Sequence, residues 1–206
     1  MRRNTIGAAC KRILDFTVAL TAMAILFLPM AIIAFIILLT MGRPVLFRQI
    51  RPGKDERPFV LLKFRTMTVA SSAEVDPSAD AARLTRTGTV LRRFSLDELP
   101  QLLNVLAGEM SLVGPRPLLV EYLPLYSTEQ ARRHCMKPGM TGLAQVKGRN
   151  AITWEQKFYW DVWYVDHWSF WLDMRILFST IIHVVRGHGI SQKGHATMEK
   201  FGASPR

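Results

Sequence analysis

The chain has 206 residues, of which 49% are hydrophobic and 21% are charged, and its formal net charge is +11. This size suits one compact domain with a membrane element, and the positive charge indicates an anionic partner: nucleic acid, an anionic membrane surface or a phosphorylated substrate. Only two cysteines are present, Cys10 and Cys135. They argue against a disulfide framework and lack the spacing of a metal site.

A long apolar run opens the chain, with no charged side chain from Phe16 to Gly42. About 20 such residues are enough to cross a bilayer as one helix. The run is longer than the core of a signal peptide and is followed by no small-residue cleavage site, so we expect it to be retained. Pro29 lies near its centre, and basic residues stand at both ends: Arg2, Arg3, Lys11 and Arg12 before it, and Arg43, Arg48, Arg51 and Lys54 after it.

Basic residues at both ends favour placing both ends on the cytoplasmic side, because cytoplasmic flanks carry an excess of Lys and Arg. Pro29 removes one helical hydrogen bond, to the carbonyl of Ile25, and usually bends a helix. The residues therefore favour a helix–break–helix segment that dips into one leaflet. A kinked single span is the alternative, since membrane helices tolerate proline.

Residues 44–67 predict a β-hairpin, because two apolar stretches flank "RPGKDERP", where Pro52-Gly53 suits a turn. The second strand carries Lys63 and Arg65 at alternate positions, hence on one face, which is either a phosphate-binding face or a solvated one. Small polar residues at 69–82 predict a mobile loop. Residues 154–187 hold all five tryptophans. They predict amphipathic helices at the headgroup level, or alternatively an aromatic core.

The stretch "RRFSLDELPQLLN" (92–104) places Asp97 and Glu98 together at the start of a helix-periodic segment. Two structural interpretations are open: a capping box of Ser95 with Glu98, or capping by Asp97 itself, which Pro100 favours. On these residues alone, capping is favoured over catalysis.

Basic residues near the two acids change this balance. Arg92 and Arg93 precede them, and "GPRP" (114–117) follows, in which two prolines stiffen the backbone of Arg116. Carboxylates among guanidinium groups at a helix N-terminus make a site where Mg²⁺ and a diphosphate meet. The sequence offers neither a His/Cys cluster for zinc nor a GxxxxGK[ST] loop.

Several longer segments resemble the monotopic phosphoglycosyl transferases, and within that family the small enzymes of the PglC type. The resemblance covers nearly the whole chain and is carried by "KRILDF", "GRPVLFRQIRPG", "FVLLKFRTM", "LRRFSLDELPQLLNVLAGEMSLVGPRP", "QVKGRN" and "SFWLD". It implies an α/β, mostly helical fold, with a re-entrant membrane helix at 1–43 and a cytoplasmic catalytic domain at 44–206 that has interface helices and a short hairpin. It also implies a location on the cytoplasmic face of the bacterial inner membrane.

The resemblance also implies the reaction: transfer of a sugar-1-phosphate from a UDP-sugar to polyprenol phosphate with release of UMP. Asp97 would be the nucleophile and an Mg²⁺ ligand, in a ping-pong reaction through an aspartyl-phosphosugar, and Glu98 would organise metal and phosphate or handle a proton. Arg116 would hold the nucleotide, and Asp173 would support the site. The remaining predicted substrate-binding residues are Lys63, Arg65, Arg93, Gln145, Arg149 and Asn150.

Two further expectations follow from the resemblance. The family's Ser-Pro break is replaced here by Leu28-Pro29, so we expect Pro29 alone to bend the helix. Likeness extending into "GHATMEKF" (194–201) hints at an N-acetylated sugar. The expected partners are a UDP-sugar, polyprenol phosphate and membrane lipids, without nucleic acid. The alternative function is a non-catalytic basic module, anchored in the membrane, that binds anionic lipid or nucleic acid.

Overall fold

The computed structural model describes residues 5–68, 83–148, 152–186 and 201–202. The helices and strands follow in the order α1 (Thr5–Met41), β1 (Leu46–Pro52), β2 (Pro58–Phe64), α2 (Arg86–Arg93), α3 (Gln101–Ala107), β3 (Ser111–Val113), α4 (Thr128–Ala131), β4 (Gly139–Thr141), α5 (Leu143–Gly148), α6 (Trp154–Asp166) and α7 (Phe170–Arg186). The prediction of a mostly helical chain with a long N-terminal apolar helix and a hairpin is confirmed. The loop predicted at 69–82 lies outside the described residues.

Helix α1 runs through Pro29 without interruption. Its 37 residues correspond to a length of about 55 Å, and by length and composition it is able to cross a membrane. Proline costs one backbone hydrogen bond, which a helix tolerates when packing holds it on both sides. The predicted break in secondary structure at Pro29 was therefore wrong. The re-entrant topology stays a prediction, because it concerns how the helix sits in a bilayer.

One face of α1 packs on the rest of the chain on both sides of Pro29. Before the proline, α1 packs against the main core through Ala19, Ala22, Met23 and Leu26. After it, α1 packs against a second cluster around Phe64 and Leu91, through Met30, Ile33, Ala34, Ile37 and Met41. This spacing of three and four residues defines one continuous stripe. The other face exposes apolar side chains, among them Ile25, Phe27 and Leu39, each 70% or more exposed. A surface of this kind suits contact with lipid.

Strands β1 and β2 form the predicted antiparallel hairpin, paired from Leu46↔Phe64 to Pro52↔Pro58. The chain reverses at Lys54–Glu56, where Asp55 and Glu56 adopt left-handed backbone conformations. The register places Lys63 on the same face as the buried Phe59 and Leu61. This position, at the end of a buried row, brings its long side chain to the edge of the core.

The second sheet is small, with β3 and β4 pairing in parallel. Strand β3 is buried throughout and lies in the main core with Val105, Met110, Tyr164 and Ile176. The segment "GPRP" begins where β3 ends, so its first residue is fixed to the core.

The tryptophan-rich region forms α6 and α7, as predicted in outline. Thr153 and Gln156 form a capping box at the start of α6. Three indoles, of Trp160, Trp163 and Trp168, pack against the core, whereas that of Trp171 is 74% exposed. The aromatic-core interpretation therefore holds for these three rings, and the interfacial interpretation, including a position of α7 at a membrane surface, stays a prediction.

Candidate active site

Asp97 and Glu98 lie in a 3₁₀ turn, Leu96–Glu98, that joins α2 to α3. The residue before the turn, Ser95, has a left-handed backbone with φ +54° and makes no side-chain capping bond. Helix α3 begins after Pro100, also without a side-chain cap. Both capping interpretations were therefore wrong: the tight turn takes the place of a regular helix start. A left-handed non-glycine residue is uncommon and marks a constrained turn.

Glu98 binds two cations through one oxygen. The Lys63 ammonium and the Arg116 guanidinium each donate to its Oε1 at 2.7 Å. Burial by itself raises the pKa of Glu98, but the charges and hydrogen bonds of Arg116 and Lys63 outweigh burial and hold the pKa well below its usual range. Glu98 is therefore ionised, and it fixes a lysine from β2 beside an arginine from "GPRP".

Asp97 is different, because its carboxylate is buried but not directly paired. The residue is 8% exposed, and within the described part of the chain its carboxylate forms no hydrogen bond or ion pair. Burial raises its pKa; the charge of Lys63 opposes this shift most strongly, and Glu98 adds to it. A buried carboxylate without a partner is unfavourable in a purely structural role, so its position points to a ligand or a reaction.

The backbone around Arg116 is held from two sides. Gly114 donates to the Thr141 carbonyl at 2.9 Å, and a Cβ on Gly114 would lie only 2.4 Å from the Lys137 carbonyl oxygen. The buried Arg133 donates to the Arg116 carbonyl at 2.7 Å. The Arg116 side chain itself remains 45% exposed. A fixed backbone with an accessible guanidinium suits binding of an anion from solution.

Of the two arginines before the acids, Arg92 is the one that faces the site. Its charge lowers the pKa of Asp97, and its Nε donates to the Thr66 hydroxyl at 3.0 Å. The predicted Arg93 is exposed and lies over the ring of Phe94. The sequence analysis named both arginines beside the acids but assigned substrate binding to Arg93, because the sharp turn at Ser95 is not evident from the sequence.

Two other predicted residues have structural partners. Arg65 is buried and donates to the carbonyls of Met41, Gly42 and Arg43, which closes the C-terminal end of α1. Asp173 is 2% exposed and accepts bonds from the Lys11 ammonium at 2.6 Å, the Tyr164 hydroxyl and the Trp168 indole. The structure therefore places Arg65 and Asp173 at the two attachments of α1, and the predicted role of Asp173 in supporting the site stays a prediction.

Gln145 lies on α5, and neither polar atom of its buried amide has a partner. Its Oε1 lies close to Gly142, which follows β4. An unpartnered buried amide is uncommon and fits a residue that meets a ligand. The predicted Arg149 and Asn150 lie outside the described residues.

The carboxylates of Asp97 and Glu98 are of the kind that binds a magnesium ion. Mg²⁺ commonly takes one or two protein carboxylates and completes its shell with water and substrate phosphates. Asp97 offers an unpartnered carboxylate, with Glu98 adjacent. Among the described residues, no group of three or more His, Cys, Asp or Glu side chains is arranged for a metal. The site therefore suits an ion that arrives with a phosphorylated substrate.

Comparison with known proteins places the chain in a family. Residues 6–187 match the bacterial sugar transferase family, and the chain belongs to it. It is 52% identical over 194 residues to the uncharacterized sugar transferase EpsL of Bacillus subtilis, covering 94% of this chain and 96% of that protein.

Other relatives have named activities, and two serve as examples. The UDP-glucose:undecaprenyl-phosphate glucose-1-phosphate transferase of Caulobacter vibrioides is 42% identical, over 83% of this chain and 68% of that protein. The UDP-galactose-lipid carrier transferase of Erwinia amylovora is 42% identical over 87% of this chain, which spans only 41% of that longer protein. The expected particular closeness to the PglC type stays a prediction.

Proposed function

We propose that this chain transfers a sugar-1-phosphate from a UDP-sugar to undecaprenyl phosphate and releases UMP. Membership in the bacterial sugar transferase family and the named activities of relatives support the substrate classes. The observation that supports the chemistry is the contrast within one dipeptide. Glu98 is held by two cations, while Asp97 beside it is buried and without a direct partner.

Asp97 is the nucleophile in this proposal. One of its carboxylate oxygens attacks the phosphorus that bears the sugar, and the bond from that phosphorus to the bridging oxygen breaks. UMP leaves with the electron pair, and the phosphosugar stays on Asp97 as an acyl phosphate. The phosphate oxygen of undecaprenyl phosphate then attacks the same phosphorus and releases the carboxylate. Two displacements through a covalent intermediate produce ping-pong kinetics.

Cations around the acids make attack by an anion on an anion feasible. Lys63 and Arg116 are already held together by Glu98, and Arg92 adds a third positive charge near Asp97. Charges fixed in place before the reaction stabilise negative charge on transferring phosphate oxygens. Magnesium, when bound at Asp97 with the donor, would further neutralise the diphosphate. Glu98 serves in this account as an organiser of cations.

A membrane location with both ends of α1 on one side suits this reaction, because the acceptor's phosphate lies at the headgroup plane. Lys11 and Arg12 near the start of α1 donate to carbonyls of β3 and α3, while Arg65 holds the other end of the helix. Hydrogen bonds to the same domain therefore hold both ends of the apolar helix. This supports the re-entrant topology on the cytoplasmic face and the role of membrane lipids as partners.

The sugar is proposed only as a class. The named relatives use UDP-glucose or act in galactose transfer, and the predicted N-acetylated sugar stays a prediction. Release of UMP from a panel of UDP-sugars, with undecaprenyl phosphate present, would identify the donor. Release that depends on Mg²⁺ and on the acceptor would argue against the alternative of a non-catalytic basic module.

The decisive experiment uses Asp97→Asn and intact-protein mass spectrometry after incubation with donor alone. Wild type should gain the mass of a phosphosugar, and Asp97→Asn should gain none and lose turnover while remaining folded and membrane-bound. Asp55→Asn is the matched control, because Asp55 is an exposed acid in the hairpin turn. An adduct on another side chain, or normal turnover by Asp97→Asn, would refute the mechanism.

Topology has a separate test. Single cysteines before and after α1, in a background without Cys10 and Cys135, are exposed to an impermeant thiol reagent in intact cells. Protection at both ends is expected. Labelling at one end alone would show that α1 spans the membrane.

A further inference from the structure

Asn104, on α3, is 2% exposed, and its side-chain amide bonds to the backbone of β2. Its Nδ2 donates to the Val60 carbonyl at 2.7 Å, and its Oδ1 accepts from the Leu62 amide at 3.1 Å. The same nitrogen also donates to Glu109 Oε2 at 2.7 Å. These partners fix the orientation of the amide, because two acceptors need its hydrogens and a backbone N–H needs its oxygen.

The two bonds to β2 lie on the free edge of the hairpin. The Arg65 amide donates to the Val45 carbonyl, so the odd-numbered residues of β2 bond to β1. Val60 and Leu62 therefore direct their backbone groups away from β1. An edge strand normally presents such groups unpaired. The amide of Asn104 takes the place of a peptide group in a third strand.

Lys63 comes directly after the bonded stretch of β2, and its ammonium donates to Glu98 at 2.7 Å. Asn104 lies six residues after Glu98, on the helix that follows the acid pair. A second bond joins the same two parts of the chain on the other side of the lysine, from Arg92 Nε to the Thr66 hydroxyl at 3.0 Å. The segment that carries the acids is therefore bonded to β2 and its continuation on both sides of Lys63.

Satisfying the edge of β2 does not by itself require an amide. An open groove of about 380 Å³ borders Asn104, Val60 and Leu62, so water is able to bond these backbone groups when the side chain is shortened. Apolar packing of Phe64 with Leu99 holds the end of β2 but is not directional. Two hydrogen bonds to alternate residues of a strand fix its position along the helix.

We infer that Asn104 is a positioning residue for the transfer reaction: it bonds the backbone beside Lys63 and thereby holds this lysine on Glu98, next to Asp97. The inference rests on the proposed function, in which the Lys63 charge stabilises the transferring phosphate. Such a charge acts only when it is held in place before the reaction, and a displacement of about 1 Å can lower a rate by about a hundredfold. Asn104 acts through the lysine.

The chemical reactivity of Lys63 measures its position without turnover. The full-length chain in phosphatidylcholine nanodiscs is methylated with formaldehyde and cyanoborohydride, and modification of each lysine is followed over time by peptide mass spectrometry. Asn104→Leu forms neither bond to β2, so it should raise the rate at Lys63 by about threefold or more. Glu98→Gln gives the rate for a lysine without its ion pair. Lys54, exposed in the hairpin turn, should keep its rate in all variants.

A double-mutant cycle measures the effect on catalysis. Asn104→Leu should lower kcat for UMP release by about tenfold in the wild-type background but by less than about twofold in Lys63→Met, where the lysine is already absent. The KM for the donor should stay within about twofold, since Arg133 holds the Arg116 backbone by a separate bond. Glu109→Gln is the matched control with wild-type kcat, because it changes the third partner of Asn104 and keeps both bonds to β2.

Equal losses of kcat in both backgrounds would overturn the inference, because a purely structural role lowers both alike. So would an unchanged rate of Lys63 modification in Asn104→Leu, or a loss in Glu109→Gln as large as in Asn104→Leu. If Asn104→Leu does not fold, Asn104→Ser carries both measurements, since water from the groove replaces part of the amide. Failure of the proposed function is seen separately, as no UMP release by wild type, while the modification rate still decides whether Asn104 holds Lys63.

Discussion

Replacing Asp161 with asparagine should strongly destabilise the protein. Asp161 and Arg133 have side chains only 4% and 2% exposed, and Arg133 donates to Asp161 Oδ2 through Nη2 at 2.7 Å and Nε at 3.1 Å. Burial raises the pKa of Asp161 even though Arg133 opposes the shift. Asp161→Asn leaves the Arg133 charge buried without a counter-ion, and breaking a buried pair in this way costs about 3–5 kcal/mol. For a chain of this size, that corresponds to a fall in Tm of about 6–20 °C.

Thermal unfolding in nanodiscs, followed by circular dichroism, measures this effect. Asp166→Asn is the control on the same helix, because Asp166 pairs with the half-exposed Arg132, and such surface pairs contribute about 1 kcal/mol or less. Replacing both members of the buried pair, as Arg133→Met with Asp161→Leu, should recover part of the loss, since no lone charge remains. A shift for Asp161→Asn no larger than that for Asp166→Asn would refute the reasoning.

Three further predictions concern residues around the site. Burial, followed by the charge of Arg133, lowers the pKa of His134 to about 4 from its ordinary 6.5, so the unfolded chain binds this proton more readily. Stability should therefore fall by up to about 3 kcal/mol as the pH drops from 6.5 to 4, and the Tm of His134→Leu should lack this part of the pH dependence. Arg92→Met should lower kcat for UMP release by about tenfold or more while Arg93→Met leaves it near wild type, because Arg92 alone of the two acts on Asp97; equal effects would contradict this assignment. Arg65→Met should lower the free energy of unfolding by about 2–3 kcal/mol and leave the KM for the donor unchanged, because Arg65 bonds to carbonyls at the end of α1. A raised KM in a folded variant would instead show that Arg65 binds substrate.

Elements with a strong local pattern were predictable from the sequence. The run from Phe16 to Gly42 has no charged residue, and two apolar stretches flank the turn pair Pro52-Gly53, so α1 and the hairpin appear where expected. The predicted break at Pro29 does not occur. Proline costs one helical hydrogen bond, but the sequence alone does not show that packing on both sides of Pro29 keeps α1 continuous.

Site residues were predictable where a sequence motif contains them, and not where contacts between distant parts of the chain bring them together. The grouping of Glu98 with Lys63 and Arg116 agrees with the expectation from the motifs. Arg133 and Asp161 are 28 positions apart, and no periodic pattern relates them. The capping interpretation failed for a local reason of another kind: after the left-handed Ser95 the chain forms a 3₁₀ turn, and no side chain caps that turn or the start of α3.

The two attachments of α1 connect the apolar helix to the acid pair. At its start, Lys11 donates to the Val113 carbonyl at 3.0 Å, three residues before Arg116. At its end, the carbonyls of Met41 and Gly42 accept from Arg65, two residues after Lys63.

Lys63 and Arg116 are the two cations that meet on Glu98. Each is carried by a backbone segment tied to a different end of the same helix. A change in the angle between the two halves of α1 would therefore move these cations relative to each other, beside the carboxylate of Asp97. The packing of α1 and the positions of the two cations beside Asp97 are thus linked through backbone segments at both ends of the helix.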